Sequence, residues 1–374
     1  MSSLPLAPTG FLDAVGGLPM AAAVAQAYAR ASELAWADPL RLHHLGRQSA
    51  LFLSTARASI ATAVADATGA TISAEQIFFA PNMRMASHWA AAGCMGTQRC
   101  AATAIENLAL VDGLTDHDPD LAILPVDRHG FLVQAGLADL GPAPSVLVAV
   151  QAANGEIGTR QDLSRAAAHG YRLIVDASHS LGRIDLGRDW SILLLSVTDL
   201  GGPAGLVIMA VQPQARWTSP LPSSGGWIGG RADVPAVVAA ATALELTLPV
   251  AKAQAASQFA LIERLRTSIE RAISDVTFAG DQVQRLPHIL NCSILYLSGE
   301  ALVLELDRRG FAVASGSACV ADSDRASHVL AAIGGFTGGN LRISLPFDCS
   351  AETVDSFVDA LAEVVAELRQ GAGL

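Results

Sequence analysis

Residues 196–205 read Ser-Val-Thr-Asp-Leu-Gly-Gly-Pro-Ala-Gly, between two apolar runs, Ile192 to Leu195 and Leu206 to Val211. A strand, a tight turn and a second strand in mid-chain predict a site at a sheet end, where α/β folds bind cofactors. Outward from this stretch, residues 76–80, 146–150 and 171–175 are further short apolar runs that read as buried strands. Alanine-rich amphipathic segments at 21–36, 54–68, 236–270 and 354–368 read as helices, and Gly69 stands where a helix-ending glycine is expected. Strands alternating with helices predict an α/β chain.

The 374 residues suffice for one large domain or a large and a small one. Hydrophobic residues make up 51% and charged ones 16%, so core material is plentiful. A net charge of −11 argues against a general nucleic-acid or anionic-membrane binder. The sequence shows no uncharged apolar run of about 18 residues, so no transmembrane helix is expected. Its opening residues lack the basic start and apolar core of a signal peptide, which predicts a cytoplasmic protein. The five cysteines form no Cys-x-x-Cys pair, and neither a disulfide framework nor a zinc site is expected.

Several loops carry residue types suited to chemistry. Gln151 to Leu163 contains Asn154, Glu156, Gly158, Thr159 and Gln161; Val175 to Asp185 places Asp176 at a strand end, with His179 three residues on. Residues 315–319 read Ser-Gly-Ser-Ala-Cys, and after seven further residues comes Ser327-His328-Val329-Leu330. Arg342 lies in a strand-like Asn340 to Leu345, and residues 285–291 read Arg-Leu-Pro-His-Ile-Leu-Asn. Near the start, Leu42, His43, Gly46 and Arg47 open a helix.

Together these motifs resemble the cysteine desulfurases of the class V aminotransferase family, from about residue 11 to residue 368. The resemblance implies a pyridoxal phosphate (PLP) fold of type I. In that family, Asp176 would pair with the pyridine nitrogen, Arg342 would grip a substrate carboxylate, and Cys319 would carry persulfide sulfur. Asn154, His179 and Ser196 would line the cofactor. The family's Ser-x-His-Lys, however, is here Ser196-Val197-Thr198-Asp199, so a carboxylate stands where the imine-forming lysine belongs. The stacking histidine becomes Asn107, a phosphate-binding threonine becomes Val234, the second Asn of Asn-Asn-Glu becomes Gly155, and the glutamine of Val-Asp-Ala-x-Gln becomes His179. The Gly-Ala-Thr phosphate turn becomes Asn82-Met83-Arg84. Arg84 is expected to fill that cup or face solvent, with a rebuilt phosphate contact as the alternative. The chain's single lysine is Lys252, in a segment that reads as a surface helix.

The resemblance therefore leads to these expectations. A mostly parallel seven-stranded sheet forms a large domain at 15–250, and residues 1–14 and 251–374 form a small domain with the thiol loop 315–327. The protein is a desulfurase-like homodimer of sulfur transfer or iron–sulfur cluster assembly that lacks ordinary PLP catalysis. It acts through Cys319 as a persulfide relay, scaffold or partner, Cys319 being the one candidate cluster ligand. One alternative is a weak desulfurase with non-covalently bound PLP and Asp199 managing protons. The other is a protein whose emptied pocket holds a small anion on Arg84 or Arg342. Its partners would be an iron–sulfur scaffold or sulfur acceptor, not nucleic acid or membrane.

Overall fold

The computed structural model describes residues 4–96, 99–143, 145–316 and 326–373. Its main sheet contains β1 (Ile77–Ala80), β2 (Arg99–Thr103), β3 (Ala122–Leu124), β4 (Val146–Ala149), β5 (Arg172–Asp176), β6 (Ile192–Ser196), β7 (Val207–Val211), β8 (Ser223–Ser224) and β9 (Trp227–Ile228). The order is β3-β2-β4-β5-β6-β7-β1-β9-β8. Strands β3, β2, β4, β5 and β6 run parallel, and β7 is antiparallel to both of its neighbours. The expected seven strands are present, and the two-residue strands β8 and β9 extend the β1 edge to nine.

Strands β4 and β7 and the first four residues of β6 are buried throughout, because helices cover both sheet faces and no position needs to be polar. One face packs on helix His44–Thr68 through Leu53, Ile60 and Val64, and the other on helix Met83–Gly93 through Met83, Trp89 and Ala90.

A second sheet, antiparallel, joins β10 (Val276–Ala279), β11 (Ile289–Ile294) and β12 (Asn340–Ser344) in that order. Its own core gathers Ile262, Leu265, Ile269, Leu302, Phe357 and Leu361, together with Leu12 from the N-terminal segment. Helix Val234–Ala272 serves both cores. Its first half, including Val237 and Leu244, packs on the large one and its second half on the small one, with Pro249 inside. Among the described residues it is the one helix long and apolar enough to cross a membrane, and 61% of its apolar window is packed inside the protein.

Candidate functional site

The carboxyl ends of β4, β5 and β6 lie side by side, and the loops that leave them carry most of the singled-out residues. After β4, Asn154 organises its own loop. Its Oδ1 accepts from the backbone N–H groups of Glu156 and Ile157, both at 2.8 Å. Its amide nitrogen donates to Ile105 O at 3.0 Å and to Gln151 Oε1 at 3.2 Å. Two donors and two lone pairs are thus occupied within the protein, so the amide has no capacity left for a ligand.

After β5, Asp176 Oδ1 accepts from Ser178 N at 2.9 Å and Ser178 Oγ at 2.6 Å, and Ser178 Oγ also accepts from Ser196 N at 3.0 Å. Ser178 therefore stitches the end of β5 to the end of β6. Ser196 Oγ lies 3.2 Å from Thr198 Oγ1, in the turn that begins the short 3-10 segment Thr198–Leu200. Gly201 closes that segment at φ 72°, a left-handed conformation that favours glycine.

The unusual residues meet here. His179 Nδ1 lies 3.3 Å from Asp199 Oδ2; the Asp199 side chain is 2% exposed and that of His179 23%. A Cβ added to Gly155 would come within 2.5 Å of His179 Cδ2 and 2.7 Å of Nε2, so the imidazole occupies the space a side chain at 155 would need. Gly155, His179 and Asp199 form one contact chain. Behind Asp199, buried Arg183 reaches toward its backbone oxygen at 3.4 Å and stacks over the Phe347 ring, 4.6 Å from the centroid. Burial lowers the Arg183 pKa while Asp199 opposes the shift, which makes the guanidinium a counter-charge to the carboxylate. Fully buried His288 has no hydrogen-bond partner for either ring nitrogen among the described residues. Burial, then the neighbouring cations, holds its pKa well below 6.5, so it stays neutral.

The helix that begins after β1 is capped by Asn82, whose Oδ1 accepts from Met85 N at 2.9 Å. Met83 points into the core, whereas Arg84 faces outward and pairs bidentately with Asp116, Nε to Oδ2 at 2.7 Å and Nη2 to Oδ1 at 2.8 Å. The alternative of a phosphate contact from Arg84 is thereby corrected: the side chain's fork is satisfied by a carboxylate on the surface. Asn107 is exposed and caps helix Leu108–Thr115, and Val234 is buried in the large core. Arg342 projects from β12 and pairs with Asp13, Nη2 to Oδ1 at 2.8 Å, while its Nε is buried without a partner among the described residues. Cys319 lies outside the described residues.

Two carboxyl groups that the sequence did not single out as site residues border this region. Fully buried Glu106 accepts at Oε1 from Thr103 Oγ1 and from Gln151 N, and its Oε2 has no partner among the described residues. Burial pushes its pKa up to about 7, with Asp176 adding to the rise. Glu156 is likewise raised, by burial first, against a hydrogen bond from Ser327 and the charges of Arg342 and His328. Buried neighbours in a folded structure were needed to reveal either shift, since a lone Glu in a loop carries no such signal.

PLP, the cofactor implied by the motifs, needs an amine in its pocket to be held as an imine. Asp199 supplies a carboxylate already engaged with His179, and Lys252 is exposed on the long helix. The residues present therefore do not fit a covalently held PLP.

Residues 20–357 match the family model "Aminotransferase class-V". "Cysteine desulfurase IscS" of Dictyoglomus turgidum is 27% identical over 96% of this chain and 95% of its own length. "Cysteine desulfurase IscS 1" of Archaeoglobus fulgidus is 31% identical over 67% of this chain and 68% of its own. Among solved structures, a "NifS-like protein" superposes with TM-score 0.83 at 22% identity, covering 96% of this chain and all of that one. The apo structure of a cysteine desulfurase from Thermococcus onnurineus NA1 gives 0.79 at 18%, covering 96% and 95%. These two likenesses establish the fold.

Proposed function

The chain belongs to the class-V aminotransferase family, and from that premise we propose a sulfur-transfer protein, related to cysteine desulfurases, that holds no PLP as an internal imine. The observation that carries this reading is the contact chain Gly155–His179–Asp199. A lone lysine-to-aspartate change would leave a buried carboxylate unpaired, at a cost of several kcal/mol. Here that carboxylate has a histidine partner, and the histidine has the space of a missing side chain. The site reads as rebuilt around the loss rather than damaged by it. Arg183 adds a buried positive charge beside Asp199, its guanidinium reaching toward the Asp199 backbone oxygen.

Within this reading Cys319 accepts sulfur from a persulfide made elsewhere. Its thiolate attacks the terminal sulfur of the donor persulfide; the donor's S–S bond breaks, a new S–S bond forms on Cys319, and the donor leaves as a thiolate. No net oxidation or reduction is involved. The donor is an active desulfurase or another persulfide protein, the acceptor an iron–sulfur scaffold, and the working form a cytoplasmic homodimer. The experiment is transfer of radiolabelled sulfur from a cysteine-loaded desulfurase to this protein. Label on wild type and none on Cys319→Ser supports the reading; equal label on both refutes it.

A second reading is favoured by one observation: Asp176 stays at the carboxyl end of β5, where the family's pyridine partner sits. A desulfurase with non-covalently bound PLP would use it, and would form alanine from cysteine when PLP is added.

A further inference from the structure

We propose that Asp199 is a positioning residue for His179, fixing the hydrogen on Nδ1 so that Nε2 stands as a free proton acceptor at the mouth of the site. The pair follows from its geometry; that the proton it takes comes from a thiol rests on the sulfur-transfer reading. Both partners sit on short turns at adjacent strand ends. His179 lies in the turn after β5, closed by Ser180 N and Leu181 N donating to Ala177 O at 3.0 and 3.1 Å. Asp199 lies in the turn after β6, closed by Gly202 N donating to Val197 O at 2.8 Å and by Gly201 N donating to Thr198 O at 3.1 Å. The bond from Ser196 N to Ser178 Oγ, at 3.0 Å, holds one turn against the other. The pair is thus carried by the sheet, which keeps its geometry better than a long loop would.

A carboxylate accepts and cannot donate, so the 3.3 Å contact between Asp199 Oδ2 and His179 Nδ1 requires the hydrogen on Nδ1. Neutral imidazole carries one such hydrogen, which leaves a lone pair on Nε2. Among the described residues Nε2 has no hydrogen-bond partner, and the His179 side chain reaches solvent while that of Asp199 does not. Gly155 keeps that nitrogen open, since even a methyl group there would come within 2.7 Å of it. Around the pair, Arg183 sets a cation behind Asp199, His288 stays neutral, and Asp176 is engaged by Ser178. When a thiol meets Nε2, its S–H bond breaks, the electron pair stays on sulfur as a thiolate, and the proton goes to the ring. The imidazolium then faces a buried carboxylate, and their contact shortens toward the roughly 2.7–2.9 Å of a charge-assisted bond.

The test uses the full chain with its nine histidines nitrogen-15 labelled, read by long-range proton–nitrogen NMR and assigned with His179→Gln. At mildly alkaline pH, wild-type His179 should show a protonated Nδ1 and a bare Nε2; the reverse tautomer overturns the proposal without any change at Asp199. In the isosteric Asp199→Asn, with circular dichroism as the check on folding, the tautomer ratio should move at least about ten-fold toward Nε2–H, the worth of one hydrogen bond to a charged group. Carbethoxylation of His179 by diethyl pyrocarbonate, read by peptide mass spectrometry, should slow by a similar factor. A purely structural Asp199 would lower stability and leave the ratio alone, and that result overturns the positioning role. In wild type carrying sulfur, transfer to the small thiol dithiothreitol should slow about 100-fold in His179→Gln, the lower end of what a general base supplies. An equal rate in that variant overturns the thiol as the proton's source. If the tautomer is as stated but wild type takes up no sulfur from a persulfide donor, the pair stands and the sulfur-transfer reading falls.

Discussion

Replacing Gly155 with alanine should have opposite signs in two backgrounds. In wild type the new methyl would sit 2.5 Å from His179 Cδ2, about an ångström inside ordinary contact distance. The ring must move, and moving it sacrifices the 3.3 Å contact with Asp199. Losing a hydrogen bond to a charged group costs about 1.5–3 kcal/mol. Gly155 lies outside the left-handed region, so alanine suits the backbone and stiffens the unfolded chain, returning about 0.5–1 kcal/mol. The net is a loss of roughly 1–2 kcal/mol in wild type. In a His179→Ala background the obstruction is gone, and the same change should stabilise by roughly 0.5–1 kcal/mol. Urea denaturation of the four proteins of this cycle, followed by fluorescence, yields each stability at constant m. A coupling of about 2 kcal/mol is expected; equal effects in both backgrounds would refute the linked-site reasoning.

Glu106 has a folded pKa of about 7, above its unfolded value near 4.5. The folded state therefore holds a proton that the unfolded state has released, and stability falls as pH rises from about 4.5 to 7. Relative to wild type, Glu106→Gln should gain up to about 3 kcal/mol between pH 5 and pH 8, read from urea midpoints at each pH. A constant difference would show the carboxyl to be ionised throughout. Arg84→Ala removes an exposed ion pair and should leave the urea midpoint nearly unchanged. In equilibrium dialysis it should also leave PLP affinity, if any is measured, unchanged; a drop would return Arg84 to a phosphate site. Lys252→Arg should change neither the absorbance spectrum nor the melting temperature by more than about 1 °C, since a surface substitution shifts stability by about 0.5 kcal/mol or less.

Much of the fold was readable in advance because its signals are local. Apolar runs such as Val146–Ala149 and Ile192–Leu195 are buried on both faces, and a continuous hydrophobic run is what such a strand requires. The dipeptide strands β8 and β9 carry no such pattern and are defined only by their neighbours. At the site, Asp199, His179 and Gly155 each stood out as a departure from a motif. That they touch could not be read from positions 20 and 44 residues apart. Arg84 had only its chemistry to speak for it, and the partner that settled its direction, Asp116, lies 32 residues on. Glu106 drew no attention, and Glu156 stood out only as part of a loop pattern, because burial, not residue type, makes their titration unusual.

The central claim is that no lysine imine forms in the pocket, and the most direct test is to add PLP, dialyse away the excess, reduce with borohydride and measure intact mass and absorbance. The account predicts an unchanged mass and no cofactor band retained after dialysis, with Asp199→Lys as the companion protein. A PLP band that survives dialysis and is fixed to the chain by borohydride would contradict the account outright.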